Sequence, residues 1–109
     1  MSFKVLLTAD AARDLDELYQ CIAIHDAPGK ADQVLTNIEK IFGSLSETPE
    51  RGVYPKELIA LGIRDYREIF FKPYRLIYRV IGDNIYILLI VDGRRDMQTL
   101  LQRRLLGNE

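Results

Sequence analysis

One cysteine, Cys21, and one histidine, His25, are all that the 109 residues hold of either type. A lone cysteine excludes a disulfide framework within the chain. One of each does not make a zinc ligand set, and no metal or cofactor is expected. Long apolar runs are also missing. No stretch approaches the roughly 18–20 residues of a membrane span, and the most apolar run, Ile85 to Val91, is strand-sized. The opening residues, Met1 to Asp10, hold too short an apolar run for a secretory leader, so a soluble cytoplasmic protein is expected. Excess charge of one sign is absent too. Fifteen Lys and Arg face sixteen Asp and Glu, a balance that neither argues for a nucleic-acid partner nor excludes one.

What is present is the composition of a folded protein. Hydrophobic residues make up 48% and charged residues 28%, which excludes a disordered tail. The length predicts a single domain over residues 1–109. Charge is unevenly placed. Residues 1–63 carry six Lys and Arg against ten Asp and Glu, and residues 64–109 carry nine against six. In that second half only Lys72 is a lysine. Arginine forks match phosphate and carboxylate geometry, but arginines on strands also tie sheets together.

The hydrophobic period divides the chain. Phe3 to Leu7 reads as a strand, and Thr8 offers a helix N-cap. Ala12, Leu15, Leu18, Tyr19, Ile22 and Ala23 then recur at helical spacing over about four turns. Asp26-Ala27-Pro28-Gly29 breaks the pattern. A second helix follows with Ala31, Val34, Leu35, Ile38, Ile41, Phe42 and Leu45 on one face, and the short break predicts an antiparallel hairpin. Residues 46–62 read as irregular, with one helical turn or apolar flap near Leu58-Ile59-Ala60-Leu61. The period then becomes two. Ile63 to Phe71, Tyr74 to Ile81 and Ile85 to Asp92 predict a meander, with Gly82-Asp83-Asn84 as a hairpin turn. The last of these strands is the most apolar and is expected at the centre. Asp96 is a candidate cap for a final helix with Met97, Leu100, Leu101 and Leu105 inward. Helices grouped before strands imply an α+β fold: an N-terminal strand, a helical hairpin on a small, mostly antiparallel sheet, and a C-terminal helix.

Alternation along the strands places Arg75, Ile77, Arg79 and Ile81 on one face and Tyr74, Leu76, Tyr78 and Val80 on the other. In the preceding strand Arg64, Tyr66, Glu68 and Phe70 oppose Asp65, Arg67, Ile69 and Phe71. Arg94 and Arg95 leave the last strand. A sheet face of Arg and Tyr is suited to RNA. The same face also suits an acidic protein segment, or solvated Arg–Asp and Arg–Glu pairs worth under ~1 kcal/mol each.

Gly62 to Phe71 lead into Tyr74-Arg75-Leu76-Ile77-Tyr78-Arg79-Val80, followed by Ile90-Val91-Asp92-Gly93-Arg94-Arg95-Asp96. With Thr8 to Leu15 and Leu45 to Gly52 upstream, this order resembles the ParE/RelE superfamily of bacterial toxins over nearly the whole chain. The resemblance implies a toxin encoded beside a cognate antitoxin that wraps it, with higher-order complexes as an option. It also implies one of two targets. RelE-like members cut mRNA on the ribosome, and ParE-like members poison DNA gyrase. For the nuclease, Arg75, Arg79 and Arg95 are the candidate phosphate-stabilising residues. A general acid–base partner is then needed, yet no Tyr or His follows Tyr86, and Asp92 stands where many relatives carry His. This favours the ParE-like reading, with Arg94, Arg95, Arg103 and Arg104 as the target-binding residues. A member that only binds its antitoxin and represses transcription with it is a third reading. The antitoxin surface is expected at Leu58, Ile59, Leu61, Phe70 and Phe71, which also suit ordinary core.

Other features carry less. Cys21 and His25 are one helical turn apart, but no third group orients them as a nucleophile and base. Asp14, Asp16 and Glu17 read as a solvated helix face. The glycines show no phosphate-cradle spacing, and Tyr66, Tyr74, Tyr78 and Tyr86 read as cross-strand packing.

Overall fold

Thr8 ends one element and starts the next. It follows strand β1 (Lys4–Leu7), and its hydroxyl accepts a hydrogen bond from Ala11 N at 3.1 Å, capping helix α1 (Ala9–His25). The computed structural model describes residues 2–105. Helix α2 (Pro28–Glu47) begins on Pro28 itself. The proline expected to be part of the break is the first helical residue, where its missing N–H costs nothing. A single turn, α3 (Lys56–Ile59), interrupts the long connection to β2 (Arg67–Phe71), β3 (Tyr74–Ile81), β4 (Asn84–Asp92) and α4 (Met97–Leu105). Strand β2 starts four residues later than the alternation from Ile63 suggested. Asp96 caps α4, accepting from Thr99 N and Thr99 Oγ1.

The sheet order is β1-β4-β3-β2, with β1 parallel to β4 and the other pairs antiparallel. The apolar β4 is central, as its composition predicted. Helices α1 and α2 cover one face, burying Ala11, Ile38 and Leu45 against Leu76, Tyr78, Ile85, Ile87 and Ile90. On the other face Leu58 and α4 residues Met97, Leu100 and Leu101 pack on Ile77, Leu89 and Val91. A bulge joins these two cores. Tyr78 faces Ile87 and Ile77 faces Leu89, leaving Leu88 as the extra residue. Ile85 and Ile87 therefore point to the helical hairpin, while Leu89 and Val91 point to α4. A bulge reverses the parity of the strand beyond it, and this lets one apolar run feed both layers.

The bulge also exposes a problem at the sheet border. Strand β1 covers β4 only as far as Ile87, whose carbonyl accepts from Thr8 N at 3.1 Å. Past that point Ile90 N donates to Asp14 Oδ2 at 3.2 Å, and Arg104 Nη1 donates to Leu88 O at 3.0 Å. Arg104 and Asp14 are themselves ion-paired. Two side chains from α1 and α4 thus continue the ladder that β1 leaves unfinished. Asp14 corrects the expectation of a solvated acidic face: its side chain is only 9% exposed. Tyr78 plays a similar part in the long connection. Its hydroxyl donates to Pro49 O at 2.7 Å and accepts from Gly52 N at 3.0 Å. A Cβ on Gly52 would lie 2.6 Å from that hydroxyl and 2.8 Å from Glu68 O, so only glycine fits there.

If Asp14 and Arg104 act as one clamp, their substitutions will not add. Asp14→Ala and Arg104→Ala are each expected to cost about 1–3 kcal/mol in urea unfolding. The double variant should cost clearly less than the sum of the two. Strict additivity would mean that the two side chains act separately.

Candidate functional site

Arg75 lies on β3 opposite Phe70 of β2 and Val91 of β4. Its alkyl chain passes under Gly93, where a Cβ would meet Arg75 Cδ at 2.8 Å. Its guanidinium is held by two carboxylates. Nε donates to Glu68 Oε1 at 2.7 Å, and Nη1 and Nη2 donate to the two oxygens of Glu57 at 2.9 and 2.8 Å. Arg75 is 5% exposed and Glu68 3%. The two-pronged contact from Glu57 fastens α3, a single turn that would not persist alone, onto the sheet. The Phe70 ring lies 5.4 Å from the guanidinium carbon.

The cluster holds one positive charge and two negative ones. The hydrogen bond from Arg75 lowers the Glu57 carboxyl below its ordinary value. Burial raises Glu68 above it, despite the help of Arg75. Arg75 is raised, chiefly by Glu57. Above this cluster opens a groove of about 600 Å³, bordered by Val53, Lys56, Phe70, Lys72 and Arg94. Arg94 is 80% exposed at its side chain and pairs with Asp92 at 2.5 Å, and this pair lowers the Asp92 carboxyl.

The structure scatters the residues singled out in the sequence. Arg75 and Arg79 share a face as alternation required. Arg75, however, is closed on Glu57 and Glu68, so as it stands it is a structural cation and not a phosphate ligand. Arg79 is half-buried over the Tyr66 ring at 5.6 Å. Arg94 lines the groove and Arg95 is exposed nearby in sequence. Arg103 is exposed on α4. Arg104 turns inward to Asp14 and borders a separate cleft of about 260 Å³ with Tyr66, Arg79 and Tyr86. Leu58 is 1% exposed and belongs to the core, while Ile59, Leu61 and Phe70 are exposed at 41%, 48% and 57%. Phe71 packs against the helical hairpin, on the sheet face opposite Phe70. The five expected antitoxin contacts therefore do not form one surface. Among the described residues, no three His, Cys, Asp or Glu side chains gather as metal ligands.

Glu57 was not singled out in the sequence. Glu68 was placed on the Phe70 face without a partner. The signal for the second was available: the tight turn at Lys72-Pro73 sets Phe71 against Tyr74. That register makes Glu68 and Arg75 diagonal neighbours.

These elements compose a small α+β fold that chains of known toxin-antitoxin systems share. The profile of the ParE toxin of the type II toxin-antitoxin system, parDE, matches residues 5–97, and the chain belongs to this family. Toxin ParE3 of Caulobacter vibrioides is 29% identical over 101 residues, covering 93% of this chain and 97% of that protein. A chromosomal ParDE toxin-antitoxin system from P. aeruginosa contains a chain 26% identical, with a TM-score of 0.69 over 84% of this chain and 96% of that one. The toxin-antitoxin complex RelBE2 from Mycobacterium tuberculosis contains another at 26% identity and a TM-score of 0.57, covering 84% and 92%. A mutant of E. coli toxin RelE in the free state shares the fold, at 17% identity and a TM-score of 0.62 over 96% of this chain and the whole of that one.

Removing Arg75 leaves the buried Glu68 and the partly buried Glu57 uncompensated. Arg75→Met is expected to cost about 3–5 kcal/mol at neutral pH, read by urea unfolding. The carboxylates also set opposite pH slopes. Stability from Glu57 is present above the ordinary carboxyl value of 4.5 and is lost as pH falls through its lowered folded value. Stability from protonated Glu68 is present below 4.5 and is lost as pH rises through its raised folded value. Glu68→Gln should therefore abolish the decline on the upper side of 4.5 and leave the acid limb in place. An unchanged upper limb would place that decline in another group.

Proposed function

We propose that this chain is a growth-arresting toxin that inhibits DNA gyrase by protein contact, has no hydrolytic step of its own, and is neutralised in the cytoplasm by a cognate antitoxin. Membership of the ParE family and similarity to a chain of a ParDE system support the class. The observation that carries the finer reading is the closure of Arg75 on Glu57 and Glu68. A ribonuclease needs cations free to stabilise a phosphorane and a group to move protons. Here the central arginine is neutralised, Asp92 adds a carboxylate beside Arg94, and no Tyr or His follows Tyr86. No membrane-crossing helix is present among the described residues.

Target contact is assigned to the exposed cations Arg94, Arg95 and Arg103. Arg104 acts through the placement of α4, since its guanidinium is engaged by Asp14 and Leu88. Exposed Ile59, Leu61 and Phe70 remain candidates for antitoxin contact. The second reading, a ribosome-dependent mRNA endonuclease, is favoured by one feature: exposed Lys56, Lys72 and Arg95 surround or neighbour the groove.

Purified, antitoxin-free protein separates the two. Loss of gyrase supercoiling of relaxed plasmid with intact mRNA on programmed ribosomes is expected. Codon-phased mRNA cuts with normal supercoiling would overturn the proposal. Arg94→Ala with Arg95→Ala should weaken growth arrest at equal protein level. Arrest at full strength would remove these two from the contact.

A further inference from the structure

Tyr66, Arg79 and Tyr86 form a row across the sheet. Arg79 of β3 pairs with Tyr86 of β4, and Arg67 of β2 pairs with Tyr78, which sets Tyr66 beside Arg79. Ile85 and Ile87 point to the helical hairpin, so Tyr86 between them faces the α4 side, where Tyr66 also packs. The three line the cleft of about 260 Å³ beside Arg104, and Ile81, Leu88 and Leu105 form its apolar wall. Among the described residues no carboxylate lines it. Arg104 is engaged by Asp14 and Leu88 O. Arg79 is half-buried, its guanidinium 5.6 Å from the Tyr66 ring centre, and it has no ion pair among the described residues. Glu50 and Asp65 border a neighbouring hollow with Arg79, but neither lies within ion-pair distance of it. The Tyr86 hydroxyl accepts from Asn84 Nδ2 at 3.3 Å, which leaves its own proton to donate.

We propose that this cleft binds a small organic anion: a single flat ring bearing a carboxylate or a phosphate. The oxyanion pairs with the Arg79 fork and the Tyr86 hydroxyl, and the ring lies against Ile81, Leu88 and Leu105. A guanidinium seated on an aromatic face is already held in place, so little freedom is lost when an oxyanion meets its edge. A half-buried cation in a cleft without acids keeps its field for such a ligand. The volume lies below the roughly 300–1,000 Å³ of pockets for drug-sized ligands, so the cleft admits one ring and not an extended chain. It shares no lining residue with the groove above Arg75. The inference goes beyond the gyrase reading and does not rest on it.

The test titrates benzoate and phenyl phosphate separately into the full chain, followed by NMR of the amides and of the arginine Nε–H groups. Benzamide keeps the ring without the charge, and acetate and inorganic phosphate keep the charge without the ring. At least one ring anion should shift the Arg79 Nε–H and the amides of Ile81 and Tyr86, and the tighter of the two names the anion. The three controls should bind at least about tenfold more weakly. Ile81 is 51% exposed, so Ile81→Glu sets a carboxylate at the mouth without disturbing the core. It should weaken the ring anion at least about tenfold while core resonances stay in place. Arg79→Gln should reduce binding to the level of benzamide. Lys40→Gln, which removes an exposed charge on α2, should leave it unchanged. Absence of shifts at Arg79, benzamide binding as tightly as benzoate and phenyl phosphate, or inorganic phosphate matching phenyl phosphate would each overturn the proposal. Displacement of the ring anion by a lower concentration of hexauridylate would also overturn it, by making the cleft part of a strand-binding surface.

Discussion

Arg75 is the residue around which the second half of the fold is arranged. Three strands of the meander can form without it, because their apolar faces and short turns already align them. The long connection from α2 is different. It holds one helical turn and little regular structure, and it must still be laid over a sheet face. Glu57 anchors that turn to Arg75 with two hydrogen bonds, and Glu68 fixes the guanidinium from the neighbouring strand. Gly93 leaves the space through which the arginine passes. Buried ion clusters of this kind add little net stability over an apolar replacement. They do specify which segment lies where, and here Leu58 is brought into the core beside Ile77 and Met97.

The same arrangement limits chemistry. A guanidinium that already meets two carboxylates has little field left for a phosphate, and the cluster as a whole is negative. The exposed cations around it, Lys56, Lys72 and Arg94, lie at the edges of the groove. Cleavage needs groups placed to within fractions of an ångström, whereas association needs complementary charge and contact area.

Much of the fold was legible from period alone. The two helices, the three-strand meander, the Thr8 cap and the central place of β4 follow from spacing and composition. The bulge at Leu88 was not legible, because Ile85 to Val91 is apolar at every position and hides its own parity. Side-chain roles were less readable than elements for a related reason. Asp14 looks like its neighbours Asp16 and Glu17, and only the early end of β1 makes it necessary. Arg104 looks like Arg103, yet one is turned inward by that same acid. Charge that is spent within the protein cannot be told from free charge until the register and the chain crossings are known.

The two exposed stretches of backbone at the sheet borders are treated in opposite ways, and the contrast has a physical reason. An open strand edge is a hazard, since another chain can pair with it. Beyond β1, the edge of β4 is closed by Asp14 and Arg104, which satisfy its carbonyl and amide directly. At β2 the closure stops after one bridge with Val53, and Phe70 is left exposed beside Lys56 and Lys72, neither of which has an ion pair among the described residues. Lysines flanking an edge discourage pairing with a second copy, whose own lysines would meet them.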